Sequence, residues 1–353
     1  SYFLASPRRI ENPVGATSIE ISRLIPGATS SHAAARLVMI SAAATQRAVS
    51  AVVPRVRRAV LHRAAHTPVS RGIHRSSVVT KASKEEQDMM DQLLAMLGGG
   101  KKDALIAEDK ALPGRQQEMK VTNKHFVLGN PIKEPFPDNL ETCVFATGCF
   151  WGTEKMFWRV PGVYSTSVGY CAGYTQNPTY EEVCSGQTGH TEAVQVAWDP
   201  TLISFTDLLA MHWTCHDPTQ GMRQGNDAGT QYRSGIYCST KAQLEQAKKS
   251  AEVYGAALKA AGVTTRDITS EMNGPGDNCV YYYAEDYHQQ YLAKPGARPY
   301  CSAQPTGVPV PDDFLKENGA KLSAGYWKKY GPRPGCTIQV SNEPVPVEEA
   351  LQA

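Results

Sequence analysis

The most regular apolar pattern in the chain starts at Thr240, where Leu244, Ala247, Ala251, Tyr254, Leu258 and Ala261 recur at helical spacing until Gly262 closes the run. Thr240 with Gln243 three residues on has the form of a capping box, so a long amphipathic helix is predicted with one face on a core. Ser204, with Asp207 at the same offset, predicts a second helix reaching about Cys215. Strand character appears at 143–146, at 163–170, at 191–198 through Ala193, Val194, Val196 and Trp198, and at 232–238. Weaker strand signals stand at 267–271 and 280–283, and a short helix is expected over 286–292. The first strand hands over to a third helical pattern, in which Phe150, Phe157 and Val160 recur beside Trp151 and Trp158 until Pro161 stops it. Residues 173–178 and the Gly-rich 216–229 read as loops, the second of the kind that carries function. One sheet with helices packed on it, an α+β two-layer sandwich, is the economical architecture.

The flanks look different. Residues 1–83 hold twelve Arg or Lys against only Glu11 and Glu20, while the remaining 24 basic residues face 32 acidic ones, a net charge near −8. A basic leader on an acidic body reads as an organellar targeting segment, expected to be disordered, rather than as a nucleic-acid arm. Met39 opens a stretch with seven arginines and no acid before Lys81, and residues 1–38 read as translated upstream sequence or an unusual extension. The Val78-Val79-Thr80-Lys81-Ala82-Ser83 segment suits plastid processing, which places the protein in the chloroplast stroma, with mitochondrial import as a close alternative. Residues 84–140 are expected to be a short helix around Met89, Met90, Leu93, Leu94 and Leu97, then an extended arm. A core over 141–311 follows. The tail, 312–353, is expected to be irregular and mobile, since nine prolines follow Lys294. Nine cysteines without dense spacing argue against a secreted disulfide scaffold, and no apolar run approaches 20 residues, so no membrane span is expected.

The candidate chemistry sits in Thr147-Gly148-Cys149-Phe150-Trp151-Gly152. A cysteine where a strand becomes a helix meets the positive end of the helix dipole, which favours thiolate over thiol. Most cysteines are small buried hydrophobes, and the glycine-flanked turn is what separates Cys149 from them. Phe150 and Trp151 can line an apolar pocket beside the sulfur, suited to a methyl-bearing or sulfur-containing ligand. Glu192 opens an apolar strand, where partial burial would keep its carboxyl protonated as a general acid. His216 and His288 suggest a Cys-His hydrolase or a zinc site, but no CxxC or HxxxH spacing supports a metal. Cys143, Cys171, Cys184, Cys215, Cys238 and Cys279 read as structural.

The segment GCFWGTEKMFW, followed in order by GVYSTSVGYCAGYTQNPTYEEVCSGQTGHTEAV, HDPTQGMRQGNDAGTQYRSGIY and YYYAEDYHQQYL, resembles the signature of peptide methionine sulfoxide reductase, type A, over about residues 107–310. The resemblance implies a ferredoxin-like α+β core and reduction of methionine-S-sulfoxide, free or in proteins, by a monomer with no cofactor and with thioredoxin as electron donor. Within it Cys149 is the nucleophile, Glu192 the proton donor, Tyr180 and Tyr232 bind the sulfoxide oxygen and Asp227 shapes the site. Attack should leave Cys149 as a sulfenic acid, which Cys301, similar to the family's first resolving cysteine, would condense to a disulfide. The chain departs from the commonest pattern here, because the next cysteine is Cys336, either a recycling thiol or a tail thiol. The rival readings are a non-catalytic reader of oxidised methionine, which would tolerate loss of Cys149, and a thiol peroxidase, indifferent to sulfoxide stereochemistry.

Overall fold

The structure is a computed structural model that describes residues 103–277, 279–333 and 339–353. The basic leader, the amphipathic pattern at 84–97 and Cys336 lie outside the described residues.

Chain order runs β1 (Glu141–Thr147), α1 (Phe150–Trp158), β2 (Val163–Cys171), α2 (Tyr180–Cys184), β3 (Thr191–Trp198) and α3 (Phe205–Thr214). Two short strands, β4 (Arg223–Gln224) and β5 (Asp227–Ala228), precede β6 (Ser234–Cys238), α4 (Lys241–Ala260), β7 (Glu271–Asn273) and β8 (Tyr282–Tyr283). Among the described residues the helices α5 (Asp312–Glu317), α6 (Ala324–Tyr330) and α7 (Val347–Gln352) follow. A six-stranded sheet has the order β7-β6-β1-β3-β2-β8, antiparallel except where β7 pairs with β6. The alternation of strand side chains sorts the two faces. Cys143, Phe145, Val194, Val196 and Ile236 join Phe157, Leu208, Leu209 and Tyr254 from the helices in the main core. Val144, Ala146, Ala193 and Tyr237 point into a smaller cluster with Cys171, against which Cys279 and Tyr281 pack. The fold is α+β, with the helices' apolar faces gathered on one cluster.

Capping chemistry fixes the helix starts. Ser204 Oγ accepts the Asp207 N–H at 3.2 Å, and Asp207 returns a carboxylate oxygen to the Ser204 N–H at 2.9 Å. At Thr240 only half of the expected box forms. Its hydroxyl accepts the Gln243 N–H at 3.1 Å, but the Gln243 amide turns to the sheet, accepting from Ser239 N–H at 2.9 Å and lying 3.3 Å from the Thr142 carbonyl.

The structure departs from the sequence pattern in four places. The edge strands are shorter and shifted, at Glu271–Asn273 and Tyr282–Tyr283. The helix expected over 286–292 is a run of turns ending in a 3-10 turn, Tyr291–Ala293, because Gln290 takes φ +48°. There the N–H and side-chain amide of Gln290 reach the buried Glu154 carboxylate at 2.7 and 2.6 Å. The short helix α2, capped reciprocally by Thr179 and Glu182, has no counterpart in the pattern. Most of all, the described part of the tail is helical and packed. Leu322, Tyr326, Val345 and Ala350 are buried in the main core, Asp207 accepts the N–H groups of Lys321 and Leu322 at 3.0 Å each, and Trp158 Nε1 donates to the Asn342 carbonyl at 2.8 Å. Helices of six or seven residues carry too few turns to show a period, and tertiary contacts rather than propensity hold them.

Candidate active site

β1 ends at Thr147 and the chain reverses at Gly148, whose φ of +100° is one that side chains rarely adopt; a Cβ there would stand 2.7 Å from the Gln224 side chain. That turn makes Cys149 the N-cap of α1. Its sulfur accepts the Trp151 N–H, while the next amide, Phe150 N–H, donates to Glu192 Oε2 at 3.0 Å. The helix start is therefore shared between a thiol and a carboxyl. Burial and the neighbouring Glu192 carboxylate push the Cys149 thiol well above its ordinary value, and the Trp151 N–H only partly opposes them. This corrects the sequence expectation: the resting sulfur is a thiol at neutral pH, because desolvation at the buried site outweighs the helix dipole and the Trp151 N–H.

Glu192, the second residue of β3, is 2% exposed, and burial raises its carboxyl to about 8 despite the Phe150 N–H. It is protonated at neutral pH, as the sequence predicts. Tyr180 opens α2 and Tyr232 ends a 3-10 turn that the Thr191 hydroxyl pins, lying 3.1 and 3.0 Å from the carbonyls of Gln231 and Arg233. Both phenols are half-buried and pushed far above their usual range, first by burial and then by neighbouring groups that include Glu192. Asp227 on β5 accepts the Tyr300 hydroxyl through Oδ1, and its Oδ2 is buried with no hydrogen-bond partner. Cys149, Tyr180, Glu192, Asp227 and Tyr232, spread over 84 positions, are thus near enough to act on one another, in a cluster that includes one thiol, one neutral carboxylic acid and two phenols.

The aromatic wall is layered. Phe150 is 1% exposed, its ring 5.0 Å from His288 and 6.0 Å from Tyr170, so it backs the pocket rather than lining its mouth. Trp151 is half-buried and stacked on Tyr291 at 4.1 Å. Among the described residues no group of three or more His, Cys, Asp or Glu is placed to hold a metal ion.

The family model for peptide methionine sulfoxide reductase matches residues 141–318, which contain all of these groups. The chain belongs to that family. Over 212 residues it is 56% identical to peptide methionine sulfoxide reductase MsrA 1 of Synechocystis sp., covering 60% of this chain and 93% of the relative. Over 221 residues it is 52% identical to peptide methionine sulfoxide reductase MsrA of Salinispora arenicola, covering 62% of this chain and 97% of the relative. Among solved structures, methionine sulfoxide reductase A of Corynebacterium diphtheriae aligns with a TM-score of 0.52 and 43% identity, over 59% of this chain and 100% of that one.

Within this reductase family member, Cys301 is half-buried and near enough to Cys149 to weigh on its thiol. The segment bearing it is docked on the β4–β5 hairpin. Gln304 N–H donates to Gln224 Oε1 at 3.1 Å, and the Ser302 carbonyl lies where a Cβ on Gly225 would come within 2.2 Å. Glu285, which the sequence pattern does not single out, and His288, which it offers only as a hydrolase base or zinc ligand, also build the site. Glu285 accepts the Tyr180 N–H and the Tyr170 hydroxyl at 2.8 Å each. His288 Nδ1 accepts the Trp151 indole N–H at 3.0 Å, and burial lowers the imidazole to about 3, so it is neutral and its 3.8 Å approach to Glu285 is no ion pair. His288 is thus a positioner of Trp151, neither base nor ligand. The signal was present in YYYAEDYHQQYL, where acid and histidine sit three apart among aromatics.

Proposed function

We propose that this chain reduces methionine-S-sulfoxide, free and within proteins, to methionine through Cys149. The observation that carries the reading is the pairing of the Cys149 sulfur with the Glu192 carboxyl, neutral up to about pH 8, at one helix start. The Cys149 sulfur bonds to the sulfoxide sulfur while Glu192 protonates the sulfoxide oxygen and takes up the thiol proton in exchange; the hydroxyl then passes to the Cys149 sulfur as the substrate S–O bond and the new S–S bond break, so substrate leaves as thioether and Cys149 is left as a sulfenic acid. Tyr180 and Tyr232, whose phenols keep their protons, donate to the same oxygen. Trp151, with Phe150 behind it, cages the methyl group, and Asp227 holds Tyr300 at the pocket edge. Cys301 then displaces water from the sulfenic acid to form a disulfide, which the dithiol of thioredoxin reduces. Cys336 is either a relay for that exchange or a tail thiol.

A two-layer sandwich with a ferredoxin-like core is supported by the β1-α1-β2-β3-α3-β6 order and by the spatial order β6-β1-β3-β2. Plastid import is inferred from the leader composition alone, with mitochondrial import as the alternative.

The test is a single turnover with each sulfoxide epimer, read by methionine release and intact mass. One equivalent of methionine from the S epimer, with none from Cys149→Ser, is expected. Equal turnover of both epimers, or peroxide reduction that outpaces sulfoxide, would overturn the reading in favour of a thiol peroxidase.

A further inference from the structure

Away from the pocket, Cys171 and Cys279 form a second pair of adjacent thiols. Cys171 ends β2, fully buried, and Cys279 packs against it on the smaller cluster while keeping part of its surface open. The Cys171 S–H donates to the Cys279 carbonyl at 3.6 Å, which sets the two thiols side by side. The Cys279 sulfur accepts Asn273 Nδ2–H at 3.2 Å. The neighbouring Cys171 thiol and the Asn273 N–H favour the Cys279 anion, which is drawn down to about 7, while Cys171, beside Cys279 and buried, is pushed well up. One thiol is thus prepared as nucleophile and the other as its proton-bearing partner. The contrast is Cys143 and Cys238, which face each other across β1 and β6 but are both buried in the main core, with Cys143 pushed well up.

We propose that Cys171 and Cys279 are a second, non-catalytic dithiol that a peroxide closes to a disulfide. The Cys279 thiolate attacks a peroxide oxygen, the O–O bond breaks, and hydroxide leaves to take up a proton as water; Cys279 becomes a sulfenic acid. The Cys171 sulfur then displaces the sulfenic hydroxyl, which departs with the Cys171 proton as a second water. The two thiols lose two electrons and the peroxide gains them. The bond ties the end of β2 to the segment that follows β7. Both strands of the tie lead into the site: the Ala172 carbonyl receives the buried Arg233 at 3.0 Å, and the chain beyond Cys279 runs through β8 to Glu285.

The full chain, reduced and freed of reductant, is treated with stoichiometric hydrogen peroxide, alkylated and peptide-mapped without reduction. A linked peptide joining Cys171 to Cys279 is expected, formed equally in Cys149→Ser. The melting temperature should rise by several degrees, since the link closes a loop of more than a hundred residues, and fall back with dithiothreitol. Cys279→Ser should lose the linked peptide and the shift while keeping wild-type turnover in the reduced state. Recovery of Cys279 as sulfinic acid beside an alkylated Cys171, a Cys143–Cys238 link in its place, or dependence on Cys149 would each overturn the proposal.

Discussion

A buried thiol beside a carboxyl is costly to ionise, and at Cys149 burial, followed by Glu192, decides the outcome. Below about pH 8 Glu192 is neutral and can give up a proton; above it, the carboxylate both loses that capacity and repels charge on the sulfur. Sulfoxide reduction in a single turnover is therefore expected to fall as pH rises through about 8. Glu192→Gln should lower the reduction rate by roughly 10²–10⁴-fold. The same variant should alkylate Cys149 faster than wild type above pH 8, because the repelling carboxylate is gone. An iodoacetamide rate profile alongside the turnover profile separates the two effects, and parallel loss of both would make the change merely structural. At this scale the sequence was legible where chemistry is local. Cys149 and Glu192 each stand at the start of an element, where the pattern shows them. The state of the thiol was not legible, since it depends first on burial by the rest of the fold and then on Glu192, remote in sequence and near in space.

Elements deliver these groups, and the turns between them hold the tolerances. Gly225 has φ +58°, and its Cβ position falls on the Ser302 carbonyl, so Gly225→Ala should push the 300–304 segment off the β4–β5 hairpin. Methionine release in the first turnover is expected to be little changed. Disulfide formation should slow severalfold, with sulfenic acid accumulating as a dimedone adduct; wild-type kinetics for both steps would show that Cys301 does not depend on this docking. The long helices, capped by Ser204 and Thr240, were readable from their own residues. The 288–291 segment was not, because Gln290 abandons helical geometry to satisfy Glu154, a partner 136 positions earlier. His288→Phe keeps an aromatic ring but removes the acceptor for Trp151, and should raise KM more than it lowers kcat.

For the molecule as a whole, burial of neutral acids and neutral histidines sets a window of stability. Glu154 at about 7 and Glu192 at about 8 are raised above their unfolded values, so their contribution is fully present below about 4.5 and is lost as pH rises through 7–8. His125 and His288, lowered to about 3, contribute above about 6.5 and lose that contribution as pH falls. The melting temperature should therefore peak in mildly acidic to neutral buffer. Glu154→Gln should flatten the alkaline limb by an amount on the order of 3 kcal/mol between pH 5 and 9. The C-terminal helices belong to the same cooperative unit: Tyr326, 1% exposed, should cost about 3–5 kcal/mol on truncation to alanine, measured by urea denaturation. A tail uncoupled from the core would leave the midpoint unchanged. Its packing escaped the sequence because proline counts report the connections and not the short helices between them.

The margins of the sheet carry a different kind of consequence. Its outermost strands, β7 and β8, are three and two residues long. A long open margin is a template on which an extended foreign chain can add itself strand by strand. Oxidised proteins are often partly unfolded, and they would be presented to this enzyme with such segments loose. A repairer with long edges would risk co-aggregating with its own clients; one whose edges end after a few residues can take in a single side chain and let the rest of the chain go.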